Sequence, residues 1–292
     1  MAPVPATPTL LCRYVAYLSQ RLKYASLRQY LGVIAHLHKQ HSLPNPLADN
    51  YFLSLTLRGV RRVKGDAVVR KEPITPLLMF KVLLSLNTNN PRHAAVWAAA
   101  LLMFFGLLRR SNVLPPSLRG FDQLRHLRRR DLELTPTGVK VTIRWSKTDQ
   151  FRSRRRVIPL PRIKDHPLCP TQAIFNALRL TPAAPPEGPA FLVGLGPLAP
   201  PLTPTVFGSF ISKGLSQAGL DPKNFGSHSF RRGGAAFLWS SAGVDESRIK
   251  MLGDWASAAY RIYTIADQAA LGQATGAMAA VLPPPSSLSE RP

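Results

Sequence analysis

The chain is poor in cysteine, in acid and in long apolar runs, and each shortage excludes something. Two cysteines, Cys12 and Cys169, cannot build a disulfide framework or a four-cysteine zinc site. The chain is therefore compatible with a reducing compartment. No apolar stretch approaches the roughly 20 residues of a membrane span. The longest, Ala94 to Leu108, runs straight into Arg109 and Arg110 and reads as a buried helix. The opening MAPVPATPTL carries no basic segment ahead of an apolar one, so no secretory signal is expected. No P-loop and no magnesium-binding carboxylate cluster is present, so neither a cofactor nor a metal is expected. Acidic residues number 15 against 38 Lys and Arg, a net charge of +23. Such an excess implies a polyanionic partner: DNA, RNA or an anionic membrane surface.

What is there is the composition of a globular protein, with 45% hydrophobic and 18% charged residues. A length of 292 residues suits two modest domains. Leu10, Leu11, Tyr14, Val15 and Leu18 recur at helical spacing over 9–22. Ser26 reads as the N-cap of a second helix carrying Leu27, Tyr30, Leu31, Ile34, Leu37 and His38. The LPNP at 43–46 breaks it, and a third helix is expected over 48–63, with Arg58, Arg61 and Arg62 near its end. Residues 64–74, KGDAVVRKEPI, lack a period and read as a linker. Helices are expected over 75–86 and 93–108. The clear strand alternation lies in Val139, Val141, Ile143 and Trp145, with a polar turn at KTDQ and a return strand from Phe151 to Leu160. The 28 prolines cluster, and the Pro-rich 182–204 reads as a long loop rather than a core element. Helices resume from Thr205, and the Pro/Ser-rich 283–292 reads as a disordered tail.

Four islands carry potential chemistry, and each taken alone also suits an ordinary structural role. In GLLRRSNVL, 106–114, two arginines follow an apolar helix, where a planar guanidinium fork matches phosphate oxygens and where solvated cations also favour a helix end. Lys147 stands at the hairpin turn, from which an ammonium can protonate a leaving oxygen or hold a phosphate. In SHSFRRGGAAFL, 227–238, His228 and Arg231 share a helix face, and Gly233 and Gly234 permit close backbone approach. In LGDWASAAYRIYTIAD, 252–267, Trp255, Tyr260 and Tyr263 are aromatic core candidates, and a tyrosine is also a possible nucleophile.

Taken in order on a basic chain, Arg109, Lys147, His228-x-x-Arg231, Trp255 and Tyr263 resemble the catalytic set of the tyrosine recombinase (phage-integrase-like) superfamily. The segment at 25–47, ASLRQYLGVIAHLHKQHSLPNPL, is similar to that family's helical core-binding domain. The resemblance covers roughly residues 10–275. In W-x-S-x-A-Y-x-x-Y it is closest to the recombinases of eukaryotic Crypton and DIRS-type elements. Asn112 departs from it, because the family usually has an acid there. The eight residues from Trp255 to Tyr263 are one fewer than the common interval. Helical periodicity does not choose between Tyr260 and Tyr263, and Arg110 competes with Arg109; the resemblance favours Tyr263 and Arg109.

The resemblance implies a mainly α protein with a small β hairpin or sheet. A helical core-binding domain would occupy 1–67, and an α+β catalytic domain 68–282. It implies a DNA recombinase that joins Tyr263 to a 3′-phosphate and releases a 5′-hydroxyl. Arg109 and Arg231 would neutralise the phosphate, His228 would accept the tyrosine proton, Lys147 would protonate the leaving oxygen and Trp255 would pack the site. Arg58, Arg61, Arg62, Arg110, Arg152, Arg154, Arg155, Arg156 and Arg232 would contact the DNA. Recombination implies a homotetramer on double-stranded DNA, with the Ala/Gly-rich helix at 267–281 packed either into a neighbour or onto its own domain. DNA as substrate implies nuclear action. Three other readings stand beside it: a type IB topoisomerase-like nicking-closing enzyme, a catalytically idle domesticated DNA-binding protein, and a basic RNA-binding protein.

Overall fold

The computed structural model describes residues 5–66, 70–146 and 155–255. They belong to two compact units, one ending at Arg70 and one beginning at Lys71. Lys147, Arg152, Arg154, Tyr260, Tyr263, the helix expected at 267–281 and the tail at 283–292 lie outside the described residues.

The first unit is three helices: α1 (Pro8–Arg21), α2 (Tyr24–Gln40) and α3 (Tyr51–Lys64). Thr7 caps α1 through its side chain, with Pro8 at the first helical position, where the missing N–H is no loss. Asn50 caps α3 by accepting from the Leu53 N–H at 3.0 Å, so that helix starts later than its apolar pattern suggests. Ser26 is not a cap. The chain is already extended at Lys23, α2 starts at Tyr24, and the Ser26 N–H donates to the Lys23 carbonyl within the first turn. The core gathers Leu11, Val15 and Leu18 from α1, Leu27 and Leu31 from α2 and Leu53 from α3. His38, also buried, ties the start of the unit to the loop after α2. Its Nε2 accepts from the Ala6 N–H at 2.9 Å, which leaves Nδ1–H to donate to the Pro44 carbonyl at 2.8 Å.

The second unit holds α4 (Pro76–Leu84), α5 (Pro91–Phe105), a short α6 (Arg110–Val113), an antiparallel sheet and four later helices. The sheet, in the order β1 (Leu132–Thr135), β2 (Gly138–Ile143), β3 (Arg156–Pro161), adds one strand to the expected hairpin. Val139, Val141 and Ile143 of β2 face the core with Ile158 and Leu160 of β3, whereas Lys140 points to solvent. Then come α7 (Pro170–Arg179), α8 (Pro204–Gln217), α9 (Ser227–Ser240) and α10 (Glu246–Gly253). Residues Ala94 to Phe104 of α5 are all buried, the mark of a helix enclosed on every side, and α7 and α9 pack against it.

Three expectations need correction. The prolines do more than mark loops: Pro8, Pro76, Pro91, Pro170 and Pro204 each open a helix behind a Thr, Asn or Cys cap. The linker ends before its last residues, because Glu72 and Ile74 donate backbone N–H groups to the Asn224 and Ser229 carbonyls at 2.7 and 2.9 Å. The Pro-rich 182–204 is irregular yet contributes to the core, with Phe191, Leu192, Val193 and Leu202 buried. Its backbone pairs locally, Leu192 opposite Pro201, which satisfies polar groups without a long strand.

Candidate active site

Arg231 is the centre of the site. It lies in the second turn of α9, 3% exposed, and its guanidinium donates to two carbonyls, Leu107 and Gly253. Its charge also sits 4.0 Å from the centroid of the Trp255 ring, within cation–π range. A buried arginine is tolerable because these partners replace water. Gly233 and Gly234 make the placement possible. A Cβ at Gly233 would stand 1.8 Å from the Ile74 carbonyl oxygen, and one at Gly234 would stand 2.1 Å from that of Phe104. Without side chains at these two positions, α9 closes onto the segment at Ile74, ahead of α4, and onto the end of α5 at Phe104.

That end delivers Arg109. Here the structure departs from the expected helix over 93–108: α5 stops at Phe105, Gly106 caps it, and Leu107 adopts φ 46°, a conformation uncommon outside glycine. The kink turns the Leu107 carbonyl to Arg231. Arg109, half-buried, then stands as the N-cap of α6 rather than as a cation on the end of α5. Two residues of chain span at most about 7.6 Å between Cα atoms, so Arg109 follows closely on the Arg231 contact. Asn112 holds this segment in place. It is buried, its Oδ1 accepts from the Arg109 N–H at 3.3 Å, and its Nδ2 donates to the Trp145 carbonyl at 2.8 Å. An ionised acid in its place could not make that second bond, because it has no N–H to donate.

Trp145 and Ser146 lead out of β2, and β3 begins at Arg156. Both limbs attach to the turn after α10. Ser146 Oγ donates to Asp254 Oδ2 at 2.7 Å; Arg156 approaches the same oxygen at 3.6 Å and donates to the Leu252 carbonyl at 2.7 Å. Asp254, buried, takes a left-handed conformation (φ 53°), and Trp255 follows with its backbone N–H on the Lys250 carbonyl at 3.1 Å. Leu107, Gly253 and Trp255 thus meet the Arg231 guanidinium directly, and Trp145, Ser146 and Arg156 join the cluster through Asn112, Asp254 and Leu252.

The remaining candidates divide. His228 is exposed in the first turn of α9, ahead of Arg231. Arg110 and Arg155 are exposed, as are Arg58, Arg61 and Arg62 in the first unit. Arg61 also pairs with Asp66 at 2.7 Å. Arg156 and Arg232 are half-buried and turned inward, Arg232 donating to the Lys71 carbonyl. The roles expected of Lys147 and Tyr263 rest on sequence.

Sequence reasoning noted Asn112 only as a departure from the resembled family and passed over Ser146 and Asp254, whose types and spacing carry no signal, and the run RHLRRRD at 125–131, whose density does. Arg128 and Arg144 pair with buried Asp131, and Arg128 and Arg130 with Glu187. Arg129 donates to Thr181 Oγ1 at 2.9 Å and to the Leu178 carbonyl. Arg125, exposed, lies 5.7 Å from the Trp145 ring centroid. Burial first, and then Arg128, Arg130 and Arg155, lower the Arg144 pKa. Burial likewise lowers that of His126, whose Nδ1 accepts from the Asp122 N–H at 2.9 Å. The hydrogen bond from Arg130 holds the Glu187 carboxyl below its usual range. This cluster of cations, paired with Asp131 and Glu187, joins the Arg109 segment where the Leu127 N–H donates to the Asn112 carbonyl at 3.0 Å. Among the described residues no helix is long and apolar enough to cross a membrane, and no group of three or more His, Cys, Asp or Glu is placed to hold a metal.

No family model matches the sequence. No curated protein is detectably similar to it. The fold is shared with solved structures. The XerH site-specific recombinase bound to palindromic difH substrate, a post-cleavage complex, matches with a TM-score of 0.63 over 93% of this chain and 72% of that one, at 17% identity. A lambda integrase (75–356) dimer bound to a COC′ core site matches at 0.60 over 90% and 81%, with 13% identity. The Tn1549 transposon integrase in complex with circular intermediate DNA matches at 0.58 over 90% and 82%, with 14% identity. At these identities the likeness shows the fold: the mainly helical architecture with a small antiparallel sheet is that of the tyrosine recombinases.

Proposed function

We propose that this chain is a site-specific DNA recombinase that cuts and rejoins double-stranded DNA through a 3′-phosphotyrosyl intermediate, and that it derives from a mobile element. The observation that carries the proposal is the convergence on Arg231. The Leu107 carbonyl, next to Arg109, and the turn bearing Trp255 meet that buried guanidinium directly, and the base of the β2–β3 hairpin is tied to the same turn through Asp254 and Leu252, within a fold shared with DNA-bound recombinases.

In this reading Tyr263 Oη attacks the scissile phosphorus and displaces the 5′ oxygen. Arg109 and Arg231 neutralise the non-bridging oxygens; preorganised donors of this kind contribute roughly 3–4 kcal/mol each in acyl-transfer sites. His228 accepts the phenolic proton and Lys147 donates one to the leaving oxygen. Trp255 keeps the Arg231 guanidinium in plane. The phosphotyrosine conserves the bond energy, so the second DNA end is joined by reversal, without nucleotide hydrolysis. Arg58, Arg62, Arg110 and Arg155 hold phosphates, which supplies affinity and register rather than sequence readout. Two strand exchanges per duplex require a tetramer, and a DNA substrate places the work in the nucleus.

The test is trapping. On a nicked suicide duplex the protein forms a denaturation-resistant covalent adduct. Tyr263→Phe abolishes the adduct and Tyr260→Phe keeps it. The reverse pattern moves the nucleophile three residues upstream, and no adduct from the parent protein overturns the reading.

A further inference from the structure

Asp254 has no place in the mechanism above, yet it is a buried carboxylate with an unusual set of neighbours. It caps the C-terminus of α10, where the negative end of the helix dipole disfavours another negative charge. It adopts φ 53°, and it is 7% exposed. A turn alone would be better served by glycine or asparagine, which take this conformation more readily and bring no charge to bury. What the carboxylate adds is its grip on two strands. Ser146 leaves β2 and Arg156 opens β3, and both reach the same oxygen, Oδ2, at 2.7 and 3.6 Å. Arg156 adds a bond of 2.7 Å to the Leu252 carbonyl, two residues before Asp254. The hairpin is thereby pinned on both sides to the turn whose Gly253 carbonyl and Trp255 ring hold Arg231. Lys147 is the next residue after Ser146 in the sequence.

We propose that Asp254 is a positioning residue of the recombination site. Its carboxylate fixes both limbs of the β2–β3 hairpin to the Arg231–Trp255 turn, and this sets the hairpin for protonation of the leaving 5′ oxygen. The inference rests on the recombinase reading. In the cleavage step the Tyr263 Oη–phosphorus bond forms and the bond from phosphorus to the 5′ oxygen breaks; that oxygen takes its proton from the Lys147 ammonium. If sulfur replaces the bridging 5′ oxygen, the thiolate leaves with its electron pair and needs no proton. A residue that acts through the hairpin then becomes dispensable, whereas a residue that only maintains the fold or the arginines does not.

The experiment compares single-turnover adduct formation by the full chain on a suicide duplex with the ordinary 5′ oxygen and on the same duplex with a bridging 5′ sulfur. Asp254→Asn suits the left-handed turn and removes the charge that holds Arg156. Ser146→Ala leaves the turn untouched and removes the other limb. With oxygen, Asp254→Asn slows cleavage by about a hundredfold, the scale on which a misplacement of about 1 Å acts. Ser146→Ala slows it by about tenfold, within the span attributed to general acid catalysis. With sulfur, both variants come within about twofold of the parent, since no general acid is needed. Equal slowing on the two substrates overturns the proposal, as does an Asp254→Asn variant as fast as the parent on oxygen. No adduct from the parent on either substrate overturns the recombinase reading and the inference with it. An adduct from the parent, with variants that sulfur fails to rescue, overturns the inference alone.

Discussion

The two units use their cations in opposite ways. In the first, Arg58 and Arg62 of α3 are exposed, and His38 is the one buried polar side chain among the described residues. In the second, Arg231 is buried, Arg128, Arg144 and Arg156 are half-buried, and all four are bonded to carbonyls or carboxylates. Buried polar groups gather there as well, Asn112, Ser146 and Asp254 among them. A single net charge of +23 thus conceals two kinds of arginine. Exposed ones create an attractive field and are replaceable without harm to the fold. Buried ones are structural parts, because removing one leaves its carbonyl partners without donors in a low-dielectric interior.

This contrast can be broken at three points. The largest effect is expected at Gly233→Ala, where a methyl would run into the Ile74 backbone carbonyl. Overpacking against backbone has no side chain to move aside, so about 3 kcal/mol should be lost from the second unit. Calorimetry should show its transition falling while that of the first unit stays. An unmoved transition would mean that α9 does not lie so close to Ile74. His38→Ala should act in the other unit alone. It strands the Ala6 N–H and the Pro44 carbonyl, at a cost of about 2 kcal/mol. A second-unit response to this variant would undo the division. The smallest stability effect belongs to Arg58→Gln with Arg62→Gln, within about 0.5 kcal/mol. Binding to a DNA duplex should nevertheless weaken, and the slope of log affinity on log salt should shrink by about 2. A loss of stability without a change in slope would make these arginines structural after all.

The helices, the hairpin and the likeness to tyrosine recombinases were legible locally. Apolar residues at period 3.6 in α1 and α2 and at period 2 in β2 report which face is buried, and that is a property of neighbouring residues. His228-x-x-Arg231 with two following glycines was legible for the same reason, since one helix turn carries it. The errors lie where the chain bends. Ser26 has a cap's chemistry but not its position, and α5 stops at Phe105 although the apolar run continues to Leu108, because Leu107 must turn its carbonyl to Arg231.

Composition and order alone determined that this chain carries a net charge of +23, that it is mainly helical and that its chemistry-bearing residues follow one another as they do. Only the tertiary structure decided which of them meet. Asn112 touches Trp145, Ser146 touches Asp254, and Arg231 bridges Leu107 and Gly253. Those partners are separated by 33, 108, 124 and 22 residues. A hydrogen bond between such positions leaves no periodic trace in the sequence, since it depends on how separately formed elements are packed rather than on what forms each of them.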